Sequence, residues 1–346
     1  MPELAPKQAA ARARARLQRA LRDYFASEGF DEVETPCLVP APGMEPHIRA
    51  FEVPFVPETS EGRAATLYLH TSPEYAMKRL LASGFERVFQ LCKVFRNGEI
   101  APHHNPEFTM LEFYRAHASY EALMVDLEEL LTRGARAVSG ADHLLADGRK
   151  IPLARPFERL TVRDALLTRT GLDLRTLDDG PKLRAAAEGR GLRFSPGARD
   201  FDDVFFQLFL TEVEPTLGME RPTFLIEYPA SMASLSRLKP GDPSVAERVE
   251  LYAGGVELAN GFSELTDGPE QRRRLVEEQE LRRRLGKPVY PLDEKFLAAV
   301  GSMPPSAGIA VGLDRLLMLC LGARRIADVL LFPAQDFFET PDGGTK

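Results

Sequence analysis

Two strand-like segments joined by a polar loop constrain the fold more than any other feature of this sequence. RVFQLCKVFR (87–96) and EFTMLEFYRA (107–116) are rich in β-branched and aromatic residues, and the loop NGEIAPHHNP lies between them. This pattern predicts a long β-hairpin. Further strand-like segments are FDEVETP (30–36), LYLHTSPE (67–74), TFLIEYP (223–229), RVELYAGGVELANGF (248–262) and GIAVG (308–312). Because hairpins dominate and helices come in separate blocks, we expect an α+β domain with an antiparallel sheet flanked by helices.

The helical segments suggest one large domain with an insertion. Residues 8–28 contain neither Gly nor Pro and read as a helix, and a charged helix is expected at about 269–285. Between about 120 and 215 the pattern is helical and rich in loops, which is typical of an insertion. We therefore expect a tail at 1–11, a single catalytic domain at 12–333 and a second tail at 334–346.

Composition limits the class of protein. Of 346 residues, 44% are apolar and 27% are charged, which is typical of a globular enzyme. Three widely separated cysteines suggest neither a disulfide framework nor a zinc site, and they fit a reducing, cytoplasmic compartment. No apolar run approaches the roughly 20 residues that cross a bilayer. The net charge of −7 argues against a broad nucleic-acid surface, so we expect no stable nucleic-acid or membrane partner.

The hairpin carries the first group of candidate site residues. Arg96 lies where a strand gives way to the loop, and a guanidinium there can bind an anionic oxygen. Phe108 can stack on a planar base, while His104 and Asn105 can reach polar groups around phosphates. A metal held by the adjacent His103 and His104 is disfavoured, because neighbouring residues are poor chelating partners. The alternative is that the aromatic residues are core and the charged residues are solvated.

Two further segments carry candidate residues. A turn centred on Ala253-Gly254 would place Glu250 directly opposite Glu257, and facing carboxylates repel unless a cation such as Mg²⁺ lies between them. The alternative is a pair of ordinary surface glutamates. In GIAVGLDRLLML, Gly308 and Gly312 indicate close backbone approach. Arg315 follows at the start of a helix, where it either caps a base or is structural.

Taken together, these segments resemble the class II aminoacyl-tRNA synthetases, specifically the lysine enzymes. FDEVETP resembles their first motif, FRNGE…HNPEFTMLEFY their second and GIAVGLDRLLML their third, while TSPE and ELANGFSELTD are similar to lysine-pocket segments. All five occur in order across about residues 12–333. The resemblance implies ATP and Mg²⁺ as cofactors, and a homodimer formed through the first motif.

The resemblance also implies roles for individual residues. Arg96, Glu257 and Arg315 are expected to be catalytic, and Glu250 and Glu257 to bind Mg²⁺. Expected ATP contacts are Arg96, Glu99, His104, Asn105, Phe108, Glu257, Leu258, Gly312 and Arg315, with adenine between Phe108 and Arg315. Expected substrate contacts are Ser72, Pro73, Glu74, Tyr114, Asn260, Glu264 and Ala310. Glu74 would take the amino group near the carboxylate, and Tyr114 and Glu264 the distant ε-ammonium. One departure is the Arg96-Asn97-Gly98-Glu99 order, which moves the motif's Glu by one place.

Two features favour a particular branch. The catalytic pattern begins by about Arg12, so no N-terminal anticodon-binding domain is expected. The lysine synthetases have Gly where this chain has Ala310, and a methyl group there would crowd an α-amino group. The architecture is similar to the ligase family that attaches (R)-β-lysine to a lysine of elongation factor P, and that partner and substrate are therefore implied. The alternatives are a truncated synthetase that activates α-lysine for tRNA or another acceptor, and a catalytically inactive paralogue.

Overall fold

The computed structural model of this chain describes residues 5–58, 64–198 and 200–337. The helices are α1 (Ala5–Ser27), α2 (Glu74–Ala82), α3 (Tyr120–Ser139), α4 (Val162–Thr170), α5 (Gly180–Glu188), α6 (Phe201–Leu208), α7 (Gly268–Arg284), α8 (Glu294–Val300) and α9 (Leu313–Leu321). The strands are β1 (Asp31–Glu32), β2 (Leu38–Val39), β3 (Phe51–Phe55), β4 (Ala65–Leu69), β5 (Arg87–Phe95), β6 (Glu107–Ala116), β7 (His143–Ala146), β8 (Arg149–Pro152), β9 (Glu158–Thr161), β10 (Thr223–Pro229), β11 (Leu238–Lys239), β12 (Asp242–Ala253), β13 (Val256–Ser263) and β14 (Ser306–Gly312).

One large sheet organises the molecule. Its strand order is β1-β5-β6-β14-β13-β12-β10-β9, with β11 paired to β12. The strands run antiparallel except at the two ends, where β1 pairs parallel with β5 and β9 pairs parallel with β10. The α+β class predicted from the sequence is confirmed, since helices cover this mostly antiparallel sheet.

The predicted β5–β6 hairpin is present and forms the centre of one half of the sheet. Arg87 pairs with Arg115 and Phe95 with Glu107, so the two strands stay in register along their whole length. The other edge of β6 pairs with β14, from Met110–Gly312 to Ala116–Ser306. The second and third motif segments therefore lie side by side.

Helices α1, α3 and α9 pack together and bury the main hydrophobic core against the sheet. This differs from the predicted boundaries. Helix α3 lies within 120–215, yet Leu123, Leu127 and Leu131 are fully buried in the main core, so it is not part of an inserted layer. The separate helical layer begins at Val162, with α4 to α6 around their own core. Residues 5–11 and 334–337 are also ordered as helix rather than tails, and residues 338–346 lie outside the described part.

The turn between β12 and β13 lies one residue later than predicted, and this corrects the pairing of Glu250 with Glu257. Ala253 pairs with Val256, so the turn is Gly254-Gly255, and both glycines have positive φ (62° and 72°). A register shift beyond Tyr252–Glu257 then makes Asn260 the partner of Glu250. Two consecutive left-handed residues favour Gly-Gly over Ala-Gly, which is why the turn moves.

Candidate active site

A cavity of about 280 Å³, here called the sheet cavity, opens over strands β6, β12, β13 and β14. It collects residues from all three segments that the sequence singled out. Every predicted ATP residue lines it: Arg96, Glu99, His104, Asn105, Phe108, Glu257, Leu258, Gly312 and Arg315. Glu250, Asn260 and Ala310 line it as well. The hairpin, the acidic strand pair and the third motif therefore form one site, although Arg96 and Arg315 are 219 residues apart in sequence.

Arg96 and Arg315 bring positive charge to the sheet cavity from two sides. The Arg96 guanidinium carbon lies 5.1 Å from the centre of the Phe108 ring, and its Nη1 is 3.9 Å from Glu99 Oε1. Arg315 donates from Nη1 to the Glu257 carbonyl oxygen at 2.8 Å and lies 3.3 Å from Glu257 Oε2. A flat ring with two guanidiniums suits a nucleotide, whose base can stack and whose phosphates are anionic.

The loop residues His104 and Asn105 are fixed by different partners. Arg315 Nη2 lies 2.8 Å from His104 Nε2, and a guanidinium can only donate, so this ring nitrogen accepts. Burial and the adjacent Arg315 lower the pKa of His104, which keeps the ring neutral. Asn105 uses both ends of its amide on the backbone, donating to the Glu107 carbonyl and accepting from the Ala334 amide. It therefore positions the loop against the C-terminal segment.

Glu250 is held by three side chains. Arg248 Nη2 donates to its Oε1 at 2.7 Å, Asn260 Nδ2 to the same oxygen at 3.2 Å, and the Tyr252 hydroxyl to Oε2 at 2.6 Å. Burial raises the pKa of Glu250, while the Arg248 charge opposes that shift. Arg248 was not among the predicted site residues, although strand alternation places residues 248, 250 and 252 on one face.

A second cavity of about 180 Å³, here called the α2 cavity, lies at the N-terminus of α2. The predicted substrate residues Ser72, Pro73 and Glu74 line this cavity instead of the sheet cavity. The predicted substrate set is therefore divided, since Asn260 and Ala310 line the sheet cavity.

Lys78 links Glu74 to the buried Glu264. Its Nζ lies 2.5 Å from Glu74 Oε1 and 2.6 Å from Glu264 Oε2, and its side chain is 1% exposed. Burial acts to lower the pKa of Lys78, but Glu264 and Glu74 raise it above its ordinary value, so the amine stays charged. Lys78 was not among the predicted site residues, although its i, i+4 spacing from Glu74 on a helix indicates an ion pair.

Glu112 joins the remaining predicted substrate residues. It accepts from the Tyr114 hydroxyl at 2.5 Å and from Ser72 Oγ at 2.7 Å. Burial, followed by repulsion from Glu74, raises the pKa of Glu112 to about 8. Glu112 could have been identified from the sequence, because a Glu within the apolar run LEFY is expected to be buried, and a buried carboxylate needs partners.

Gly308 makes room for this group. A Cβ at position 308 would lie 2.1 Å from Tyr114 Cε1 and 2.7 Å from Glu264 Oε1. The close approach predicted for Gly308 is thus to Tyr114 and Glu264. Gly312 differs, since a Cβ there would meet only the Arg315 side chain, at 3.6 Å or more.

The geometry can therefore hold a nucleotide beside a cationic ligand. The sheet cavity offers a ring and guanidiniums, and its lining residue Ala310 pairs across the strands with Glu112. Glu112 interacts with Glu74, which shares the Lys78 ammonium with Glu264. Among the described residues, no three His, Cys, Asp or Glu side chains are grouped to hold a metal ion. No described helix is both long enough and apolar enough to cross a membrane.

Comparisons with known proteins agree with this geometry. Residues 5–336 match the family described as tRNA synthetases class II (D, K and N). The chain is 42% identical to the elongation factor P–(R)-β-lysine ligase of Salmonella typhi, over 92% of this chain and 93% of that protein. The ligase of the same name from Salmonella arizonae gives the same values, and that from Salmonella dublin is 41% identical over the same shares.

Proposed function

This chain belongs to the class II tRNA synthetases of the D, K and N group, and from that premise we propose that it is an ATP-dependent ligase for (R)-β-lysine. It activates the amino acid as an acyl-adenylate and transfers it to the ε-amino group of a lysine on elongation factor P. The observation that carries the proposal is the 42% identity, over 92% of the chain, to ligases named for this reaction. The acidic group beside the sheet cavity supports it, since the substrate has two ammonium groups.

Activation needs positive charge where the α-phosphate is attacked. In the proposed reaction the substrate carboxylate attacks the α-phosphorus of ATP, and pyrophosphate leaves. Arg96 stabilises the charge on the α-phosphate, and Arg315 and Phe108 hold the adenine between them. Their place on one cavity supports these roles. Positioning by rigid strands supplies much of the acceleration.

The acidic residues suit a Mg²⁺ ion of the kind that nucleotides bring. Glu257 is one-third exposed on the sheet cavity, and Glu250 lines the same cavity, so both carboxylates can offer an oxygen to a metal ion. We propose that these two residues hold Mg²⁺ together with phosphate oxygens, which is the ligand set this ion prefers. Mg²⁺ would supply charge neutralisation on the phosphates.

The substrate contacts follow from the carboxylate positions. We assign the ε-ammonium to Tyr114 and Glu264, and the carboxylate to Arg96 and Asn260. Glu74 takes the amino group nearer the carboxylate. In the second step the acceptor amine attacks the acyl carbon, an amide forms and AMP leaves.

We also propose that two copies associate along the first-motif segment. β1 is an edge strand of the main sheet, and Asp31, Glu32 and Glu34 are exposed along this segment. Three free cysteines agree with a reducing compartment, so we place the reaction in the cytoplasm. The net charge of −7 leads us to propose no stable nucleic-acid partner. Light scattering at micromolar concentration tests the dimer, and a fully active monomer would contradict it.

The decisive experiment separates the acceptor and the amino acid. Pyrophosphate exchange is measured with (R)-β-lysine and with α-lysine, and each reaction is then supplied with elongation factor P or with tRNA. We expect faster exchange with (R)-β-lysine, and a mass increase of one β-lysyl group on elongation factor P. Efficient lysyl-tRNA formation, or no exchange with (R)-β-lysine, would reject the proposal.

A further inference from the structure

The α2 cavity contains buried acceptor atoms that the proposed function leaves unused. Glu45 Oε2, His70 Nδ1 and Thr71 Oγ1 are shielded from solvent, and within the described ranges none has a hydrogen-bond partner. Glu45 and His70 line the cavity together with Glu74. Buried acceptors without donors are costly, so their concentration in one place points to a ligand that donates.

His70 accepts in this arrangement because its other nitrogen is used. Nε2 lies 2.6 Å from the Lys93 carbonyl oxygen, and a carbonyl can only accept, so Nε2 carries the proton. Burial lowers the pKa of His70, which keeps the ring neutral. Its Nδ1 therefore presents a lone pair.

Gly43 brings two of these oxygens together. A Cβ at position 43 would lie 2.3 Å from Glu45 Oε2 and 3.0 Å from Thr71 Oγ1. The Glu45 side chain thus folds back over the bare face of Gly43, towards Thr71. A larger residue at position 43 would force this carboxylate out of the cavity.

Glu45 belongs to a turn that borders both cavities, since Glu45 lines the α2 cavity and Ile48, whose amide donates to the Glu45 carbonyl oxygen at 3.1 Å, lines the sheet cavity. Burial, and then repulsion from Glu74, raise the pKa of Glu45, while Arg96 and Arg282 act in the opposite direction. The Glu45 carboxyl therefore interacts electrostatically with the Glu74 carboxylate of the α2 cavity and with the Arg96 guanidinium of the sheet cavity. A cation bound near Glu45 and Glu74 would relieve the repulsion between them.

We propose that Glu45, acting with Glu74, binds the ammonium group at the carboxylate end of the substrate and selects the β-amino over the α-amino isomer. This inference rests on the proposed function. Arg96, Asn260 and Ala310 line the sheet cavity, whereas Glu45 and His70 line the α2 cavity. In the β isomer the amine is one carbon further from the carboxylate. It can therefore reach the α2 cavity more easily while the carboxylate stays in the sheet cavity. A primary ammonium has three donors, which matches several acceptors in one place.

The test uses Glu45→Gln, which removes the charge and keeps the size of the side chain. Substrates are (R)-β-lysine and α-lysine, and the inhibitor is 6-aminohexanoate, which keeps the distal ammonium and lacks the other one. We expect the KM for (R)-β-lysine to rise roughly 10- to 100-fold, as for a lost hydrogen bond between charged groups. The KM for ATP and the Ki for 6-aminohexanoate are expected to change less than about 2-fold, and the preference for the β isomer to fall. Calorimetric binding of (R)-β-lysine, without ATP, gives a readout independent of turnover.

Two further variants control the test. Glu278→Gln removes another carboxyl whose pKa is raised by burial and then by Glu45, but Glu278 lines neither cavity. It should leave the β-to-α preference unchanged. Glu45→Asp keeps the charge and withdraws it by one methylene, so an intermediate loss is expected, and this variant carries the test if Glu45→Gln does not fold.

Three results would overturn the inference. An equal loss for 6-aminohexanoate would mean that Glu45 binds the distal ammonium. An equal loss in Glu278→Gln would mean a general effect of charge, and an unchanged KM in both Glu45 variants would mean no contact. Failure of the proposed function is recognised separately, because the unaltered protein would then not activate (R)-β-lysine.

Discussion

Removing the Lys78 charge should cost more stability than any surface ion pair in this protein. Lys78 is 1% exposed between Glu74 and Glu264, so Lys78→Met leaves two carboxylates without their cation. Breaking a buried ion pair in this way costs about 3–5 kcal/mol. With an unfolding entropy of about 2.1 cal/mol/K per residue, a chain of this length should melt roughly 4–7 °C lower.

The loss should depend on pH. Burial already raises the pKa of Glu264 to about 8, against the opposing charge of Lys78. Without that charge the folded pKa rises further, so the folded state binds a proton that the unfolded state has released above about 4.5. Stability of both proteins therefore falls as pH rises above about 4.5, but it levels off near pH 8 in the parent and keeps falling in the variant. The deficit of the variant should shrink as pH drops from about 9 to 7 and change little below that.

Thermal unfolding measured at about pH 6, 7.5 and 9 tests this, because these values bracket the folded pKa of Glu264, with Lys93→Met as the matched control. Lys93 Nζ lies 3.4 Å from Glu107 Oε1, but both side chains are about half exposed, so the control should lose at most about 1 kcal/mol. The reasoning would be refuted if both variants lost the same stability, or if the Lys78→Met deficit did not change with pH.

Three other outcomes are expected. Because burial raises the pKa of Glu112 to about 8, affinity for the cationic substrate should rise between pH 6 and 8, and binding at pH 7 should release protons. Calorimetry in buffers of different ionisation enthalpy measures the number of protons released, and Glu112→Gln should reduce it. Gly308→Ala would press a methyl group into the Tyr114 ring, costing about 1–3 kcal/mol in denaturant unfolding and weakening substrate binding. Arg248→Met removes the cation that pairs with Glu250, so the pKa of Glu250 should rise further. More Mg²⁺ should then be needed for half-maximal pyrophosphate exchange, and the effect should be largest at low pH.

The large elements of this fold follow from local patterns, whereas the register of the acidic hairpin does not. The β5–β6 hairpin was predictable because each strand has its own β-forming composition. The β12–β13 turn depends on which pair among Ala253, Gly254 and Gly255 takes positive φ, and on the register shift after Tyr252. Sequence alternation alone cannot supply such a shift.

The division of the substrate residues was also beyond sequence reasoning. Glu74 and Asn260 both lie in segments that resemble the lysine pocket, yet they line different cavities. Glu74 begins helix α2, whereas Asn260 lies in the middle of strand β13. Glu45 carried no signal at all in the sequence. Its proposed role depends on the packing of the Glu45 side chain against Gly43, which only the three-dimensional contacts reveal.

The charges around Lys78 explain why the site should select a dication. Three carboxyl groups lie near the Lys78 ammonium, those of Glu74, Glu112 and Glu264. Glu45 adds a fourth carboxyl group that interacts with Glu74. They cannot all ionise together at neutral pH, since burial and mutual repulsion raise the pKa of Glu112 and Glu264 to about 8. A ligand with two ammonium groups can replace the bound protons at both ends, but a ligand with one leaves a carboxyl protonated. Lys78→Met should therefore alter selection by charge number alone. Glu45→Gln removes a partner of the ammonium near the carboxylate, so it should weaken selection both by charge number and by amine position.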